Sequence, residues 1–217
     1  MEKKLLTIFG ASGLVGSSIL REALDKGYHV NGTLRDIEKQ DRITRLKSLP
    51  SGNNAKFFLA DMAEISSLDN PLINSDAAII CCLIPTYKGF DGTPAKELDD
   101  EKGYNEIIKP TVDGCLNILR TAKRNNVKNI LICSSTSSTN PIPPVSIKNE
   151  LDHWSDEKEQ CNSKKYTSAA KTFMEKAAFK FCDENNLRLS VFLPTGLYGP
   201  AVLPEHLRHN PFLWIKS

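Results

Sequence analysis

The stretch Gly10-Ala11-Ser12-Gly13-Leu14-Val15-Gly16 holds three glycines at a spacing that suits phosphate chemistry. One glycine allows a tight turn, one lets the backbone come close to a pyrophosphate, and one lets the following helix pack against a sheet. The free N–H groups and positive dipole end of that helix would then face the phosphates. Three glycines alone could be turn punctuation. Here they follow an apolar run at residues 4–9, open an amphipathic stretch, and are followed by a second apolar run, which is the setting a dinucleotide-binding turn requires.

The second run ends in Gly32-Thr33-Leu34-Arg35, with Arg42 shortly after it. An acidic residue at this point would hold the ribose hydroxyls of NAD. A guanidinium favours a 2′-phosphate through its charge and paired donors, so the expected cofactor is NADP (NADPH). The plainer alternative makes Arg35 a solvated surface charge, tempered by its neighbour Asp36. Asp61, in Leu59-Ala60-Asp61-Met62, is placed either to accept from the adenine amino group or to cap a helix.

These residues need elements to position them. Short β-rich runs at residues 4–9, 28–34, 56–60, 76–83, 127–134 and 187–193 read as strands, several of them continuously apolar as central parallel strands are. Helical patterns fall at 14–26, 39–49, 97–126 and 163–185, with a short one at 65–68. Pro110 is expected to break the third and open a new helix at its first turn. Strict β/α alternation predicts an α/β chain with a doubly wound parallel sheet of about six strands and ligands at their carboxyl ends. The loop 134–156, rich in Ser, Thr, Pro and Asn, follows the fifth strand and is long enough to be functional.

The 217 residues carry 40% hydrophobic and 25% charged residues with a net charge of +2. That is ordinary globular composition, with no basic field for nucleic acid. The run after Lys3 and Lys4 is broken by glycines and lacks a cleavage pattern, so it is not read as a signal peptide. No stretch reaches the roughly 18 apolar residues of a membrane span, and a cytoplasmic location is expected. Six cysteines without a C-x-x-C pair read as reduced core thiols, and His206 and His209 lack further ligands for a metal.

Three further stretches sharpen the reading: Thr33-Leu34-Arg35-Asp36, Asn105-Glu106-Ile107-Ile108-Lys109-Pro110-Thr111-Val112-Asp113-Gly114 and Pro194-Thr195-Gly196-Leu197-Tyr198-Gly199-Pro200. With the glycine turn, they resemble the extended short-chain dehydrogenase/reductase family, within the NAD-dependent epimerase/dehydratase superfamily. The likeness is to its dihydroflavonol reductase and cinnamoyl-CoA reductase branch and runs from about residue 4 to residue 200. The resemblance implies a Rossmann fold over residues 1–200, with 201–217 as the start of a truncated substrate-binding region. It implies adenine-side contacts from Gly10, Ser12, Gly13, Leu14, Val15, Gly16, Arg35, Asp61 and Met62. It also places Cys82, Leu83 and Ile84 under the nicotinamide ribose, and Pro194, Thr195 and Leu197 beside the nicotinamide.

The family's chemistry is hydride transfer between the nicotinamide and a carbonyl or alcohol carbon, with a serine holding the oxygen, a tyrosine giving it a proton, and a lysine lowering the tyrosine pKa and binding the ribose. By this resemblance Ser135, in Cys133-Ser134-Ser135-Thr136, is the serine, and Lys171 is the lysine. The family spacing Tyr-x-x-x-Lys falls on Thr167, whereas the tyrosine is Tyr166. Side chains five apart on a helix diverge by about 140°, so Tyr166 would serve only if a π-bulge between 166 and 171 absorbed the extra residue. Thr167 points the right way, but an aliphatic hydroxyl is far too weak an acid. The apolar stretch Pro211-Phe212-Leu213-Trp214-Ile215 is expected either to mark the chain as a fragment or to pack on the chain itself or on a partner, self-association included.

The expected function is NADP-dependent reduction of a small ketone or aldehyde. A non-catalytic NADP-binding regulator that has lost its proton donor and a nucleotide-sugar epimerase or dehydratase are the alternatives on the same fold.

Overall fold

A computed structural model describes residues 4–35, 40–149 and 152–209. The expected helix start at Lys39, the tempering charge of Asp36 and the apolar stretch Pro211-Phe212-Leu213-Trp214-Ile215 lie outside the described residues.

Strand β1 (Leu5–Phe9) leads through the glycine turn into helix α1 (Leu14–Asp25), and the chain returns as β2 (His29–Leu34). Helix α2 (Gln40–Lys47) crosses to β3 (Ala55–Leu59), and a 3₁₀ turn at Ile65–Leu68 runs into the short α3 (Asp69–Leu72) before β4 (Ala77–Ile80). Then come α4 (Asp100–Gly103), α5 (Lys109–Arg124), β5 (Asn129–Cys133), α6 (Glu157–Asn162), α7 (Tyr166–Glu184) and β6 (Arg188–Phe192). The strands form one sheet in the order β3-β2-β1-β4-β5-β6. All five neighbouring pairs are parallel. The order reverses between β1 and β4, and the carboxyl ends of those strands open the crevice where a doubly wound sheet takes its ligand.

Alternation along each strand divides the core. Phe9, Ile80 and Ile132 pack with Ile118 of α5 and Met174 of α7 in one buried cluster. Ile8, Val30 and Ile79 pack with Leu20 of α1 and Leu46 of α2 in another. In a third cluster Ile107 and Ile108 meet Tyr166, Ala169 and Ala170.

Two expectations are corrected. The fourth strand stops at Ile80 rather than Leu83, because the chain turns there and the Ile84 amide donates to the Cys82 carbonyl at 2.8 Å. Nor does the third helical stretch break at Pro110: it passes from α4 through a π-helical turn at Tyr104–Ile108 into α5, although Pro110 does occupy the first turn of that helix, as expected. The Thr111 hydroxyl donates to the Ile107 carbonyl at 3.1 Å across this junction.

Candidate cofactor and active site

The glycine turn is tied to the neighbouring strand before any ligand is considered. The Gly10 amide donates to Thr33 Oγ1 at 3.1 Å, and the Ala11 amide donates to the Thr33 carbonyl at 3.0 Å. Gly10 has φ +84°, and a Cβ there would come within 3.1 Å of the Cys82 Cβ. At Gly16 the requirement is space, since a Cβ would lie 2.1 Å from the Gly10 carbonyl oxygen. Gly13 is the N-cap of α1 in an extended conformation, with no side chain to satisfy the first helical N–H groups. Those donors, with the dipole behind them, are the feature an anion would use.

Arg35 is exposed immediately after β2, two residues beyond the Thr33 contacts. Arg42 lies in the first turn of α2, where its Nε sits 2.5 Å from Glu205 Oε1. Asp61 is exposed after β3, and its Oδ1 accepts from the Ala63 amide at 2.9 Å, closing a turn. The Met62 side chain lies over Gly114, where a Cβ would be 2.6 Å from its sulfur, and its carbonyl accepts from Asn117 Nδ2 at 3.0 Å. That packing gives a structural reason for a glycine in the 105–114 stretch.

A cleft of about 430 Å³ opens at the carboxyl ends of β4, β5 and β6. Val15, Cys81, Ile84, Ser134, Ser135, Thr167, Ser168, Lys171, Pro194, Thr195 and Leu197 line it. Ser135 precedes a 3₁₀ turn at Thr136–Ser138 and accepts from the Ser137 amide at 3.2 Å. Ser155, near the end of the 134–156 loop, returns to that turn, its Oγ donating to the Ser137 carbonyl at 2.7 Å. Lys171 is buried and its Nζ donates to the Leu83 carbonyl, so the residues after β4 and the lysine of α7 meet. Burial pulls its pKa below the usual lysine value, and the nearby Glu175 carboxyl opposes that pull. Cys82 is half-buried, and burial pushes its thiol up to about 12, which makes it packing rather than a nucleophile.

Tyr166 does not enter this cleft. Helix α7 is α-helical from Tyr166 onward, with no π-turn between 166 and 171, so the five-residue offset is not absorbed. The ring is buried against Gly103, and its hydroxyl donates to Asp100 Oδ1 at 2.7 Å. Burial, then the Asp100 hydrogen bond, raise its pKa well above an ordinary phenol, the reverse of what a proton donor near neutral pH needs. The expected placement of Tyr166 as proton donor is corrected on this geometry. Thr167 is the side chain that lines the cleft with Ser135 and Lys171.

Three features lay beyond the sequence reading. Thr33 holds the glycine turn. Glu175, one turn beyond Lys171, is buried and accepts from the Ser134 hydroxyl, and its burial raises its pKa. The four-residue spacing from Lys171 was the available signal for it. His206 Nε2 donates to the Ser12 carbonyl at 3.1 Å, a contact across 194 residues that no local pattern announces. Among the described residues no group of three His, Cys, Asp or Glu is placed to hold a metal ion, and no helix is long and apolar enough to cross a membrane.

Residues 6–217 match the family described as NAD dependent epimerase/dehydratase. The chain is 29% identical over 209 residues to an anthocyanidin reductase of Vitis vinifera, covering 94% of this chain and 59% of the relative. It is 30% identical over 210 residues to a dihydroflavonol 4-reductase of Arabidopsis thaliana, covering 93% and 51%. Among solved structures, vestitone reductase from alfalfa superposes with a TM-score of 0.68 at 22% identity, covering 93% of this chain and 60% of that one. Gre2 of Candida albicans, crystallised with NADPH, superposes at 0.71 and 23% identity, covering 92% and 60%. The chain thus spans between half and three-fifths of the length of these proteins.

Proposed function

Because the chain belongs to the NAD dependent epimerase/dehydratase family, we propose that it binds NADP(H) at the glycine turn and acts as a reductase-like oxidoreductase on a small ketone or aldehyde. The observation that carries this reading is convergence: Val15 of the turn, Ser135, Lys171 and the Pro194-to-Leu197 stretch share one cleft at the carboxyl ends of the strands. The turn's free N–H groups would take the pyrophosphate, and Arg35 and Arg42 the 2′-phosphate. Leu83, Ile84, Pro194, Thr195 and Leu197 would flank the ribose and nicotinamide. When bound, the cofactor supplies hydride.

The chain's own residues would do the rest. Ser135 would hold the carbonyl oxygen by its hydroxyl, and the Lys171 ammonium would stabilise negative charge developing there. With Tyr166 turned to Asp100, the proton would have to come from solvent, relayed by the hydroxyls of Thr167 and Ser135. General acid catalysis is worth about 10²–10⁴-fold, so turnover is expected to be slow. The relatives' names, anthocyanidin reductase and dihydroflavonol 4-reductase, suggest a flavonoid-like carbonyl compound as the first substrate class to try. A second reading, an NADP-binding regulator without turnover, draws on the same sequestered tyrosine.

The test is NADPH oxidation with a panel of aldehydes, ketones and dihydroflavonols, using the parent and Thr167→Tyr, which puts a phenol four residues before Lys171. Slow turnover in the parent that rises about 100-fold in the variant supports the reductase. NADPH binding without turnover in either chain rejects it and leaves the regulator.

A further inference from the structure

Beyond β6 the chain returns to the opposite end of the cofactor crevice. Leu203 has no exposed surface and joins the core cluster that contains Ala11 of the turn, Leu20 of α1 and Leu46 of α2. His206, also buried, donates from Nε2 to the carbonyl of Ser12, inside the glycine turn. Between them Glu205 pairs with Arg42, both side chains about one-third exposed. A buried leucine, a histidine and a carboxylate thus fix one short segment to three points around the adenosine end of the dinucleotide site.

We propose that segment 203–206 is a latch on this site, in which the Glu205 carboxylate occupies Arg42 in place of a dinucleotide 2′-phosphate; the inference rests on the NADP reading above. The chemistry is competitive. A guanidinium pairs with a carboxylate or a phosphate by the same donors, and a carboxylate kept beside the 2′-phosphate would repel it. A dianionic phosphate is the stronger partner, so it displaces Glu205 and frees the segment. The latch is also built to release. His206 Nδ1 is buried and finds no hydrogen-bond partner among the described residues, a cost that is relieved when the ring swings into water. The Arg42–Glu205 pair is open enough to solvent to exchange partners. The segment would therefore weaken NADPH more than NADH, because only the former needs Arg42.

Titration of NADPH and NADH into the parent, Glu205→Gln and Leu203→Ala, with hydrogen exchange of residues 203–206 in the parent, tests this. The latch predicts that both variants bind NADPH about three- to tenfold more tightly while NADH changes less than about twofold, as expected for release of one partly exposed ion pair. It also predicts that the 203–206 amides exchange faster when NADPH is bound, although ligands usually protect. If Glu205→Gln tightens NADPH but Leu203→Ala does not, the glutamate acts through charge alone and the latch is overturned. Slower or unchanged exchange on NADPH binding overturns it as well. In either case a parent that still prefers NADPH keeps the cofactor reading intact. Preference for NADH in all three chains, or binding of neither, overturns both.

Discussion

Tyr166 and Thr167 are adjacent in sequence and opposite in surroundings, one buried against Gly103 and bonded to Asp100, the other lining the cleft with Ser135 and Lys171. Since the phenol does not reach the cleft, Tyr166→Phe should leave NADPH affinity and any turnover within about twofold. Because its partner Asp100 is exposed, the variant should lose only about 0.5–1.5 kcal/mol by urea unfolding. A large loss of turnover with unchanged affinity would restore it as proton donor. Glu175 offers a second test. Its folded-state carboxyl holds a proton more tightly than the ordinary value of 4.5, mainly through burial. Stability from that group is therefore present below pH 4.5 and lost as pH rises through the higher folded-state value. Glu175→Gln keeps an acceptor for the Ser134 hydroxyl and has no charge to bury. Its stability relative to the parent should rise as pH is raised above the normal carboxylate range. A difference that stays flat with pH in paired urea melts would show that the carboxylate is compensated in place, with Lys171 the candidate partner.

At the scale of elements, the junction of α4, the π-helical turn and α5 is what receives α7. Gly103 lies where that junction meets the Tyr166 ring, and a Cβ there would come 2.5 Å from the ring carbons. Backbone at Gly103 is ordinary helix, so the requirement is space alone. Gly103→Ala should therefore cost about 1–3 kcal/mol by overpacking, read as a lower midpoint in urea without a change in slope. An unaltered midpoint would mean that α7 moves away freely. How legible these elements were depended on contact range. The apolar and β-rich runs announced all six parallel strands, the central ones most clearly because buried parallel strands are read from local composition. Three glycines with a strand before and a helix after them announced the turn. The π-turn ahead of Pro110 was not legible, because a proline in a helical pattern signals a break and says nothing of how neighbouring turns absorb it. The destination of Tyr166 was hidden too, since its partner lies 66 residues away. The latch contact from His206 spans 194.

For the molecule as a whole, the crevice where strand order reverses gathers the glycine turn at one end and Ser135 with Lys171 at the other. That arrangement belongs to a dinucleotide-dependent family, and on the proposed reading two arginines, rather than the fold, would choose the cofactor. Arg35 is exposed directly after β2 and free of the latch that holds Arg42, so it is the cleaner of the two to test. Calorimetric titration of NADPH and NADH into the parent and Arg35→Ala is the most direct measurement of the central claim. The account predicts that the parent binds NADPH at least about tenfold more tightly than NADH, and that Arg35→Ala removes most of that difference while NADH affinity stays within about twofold. A parent that binds both alike, or an Arg35→Ala chain that keeps the parent's preference for NADPH, would contradict it.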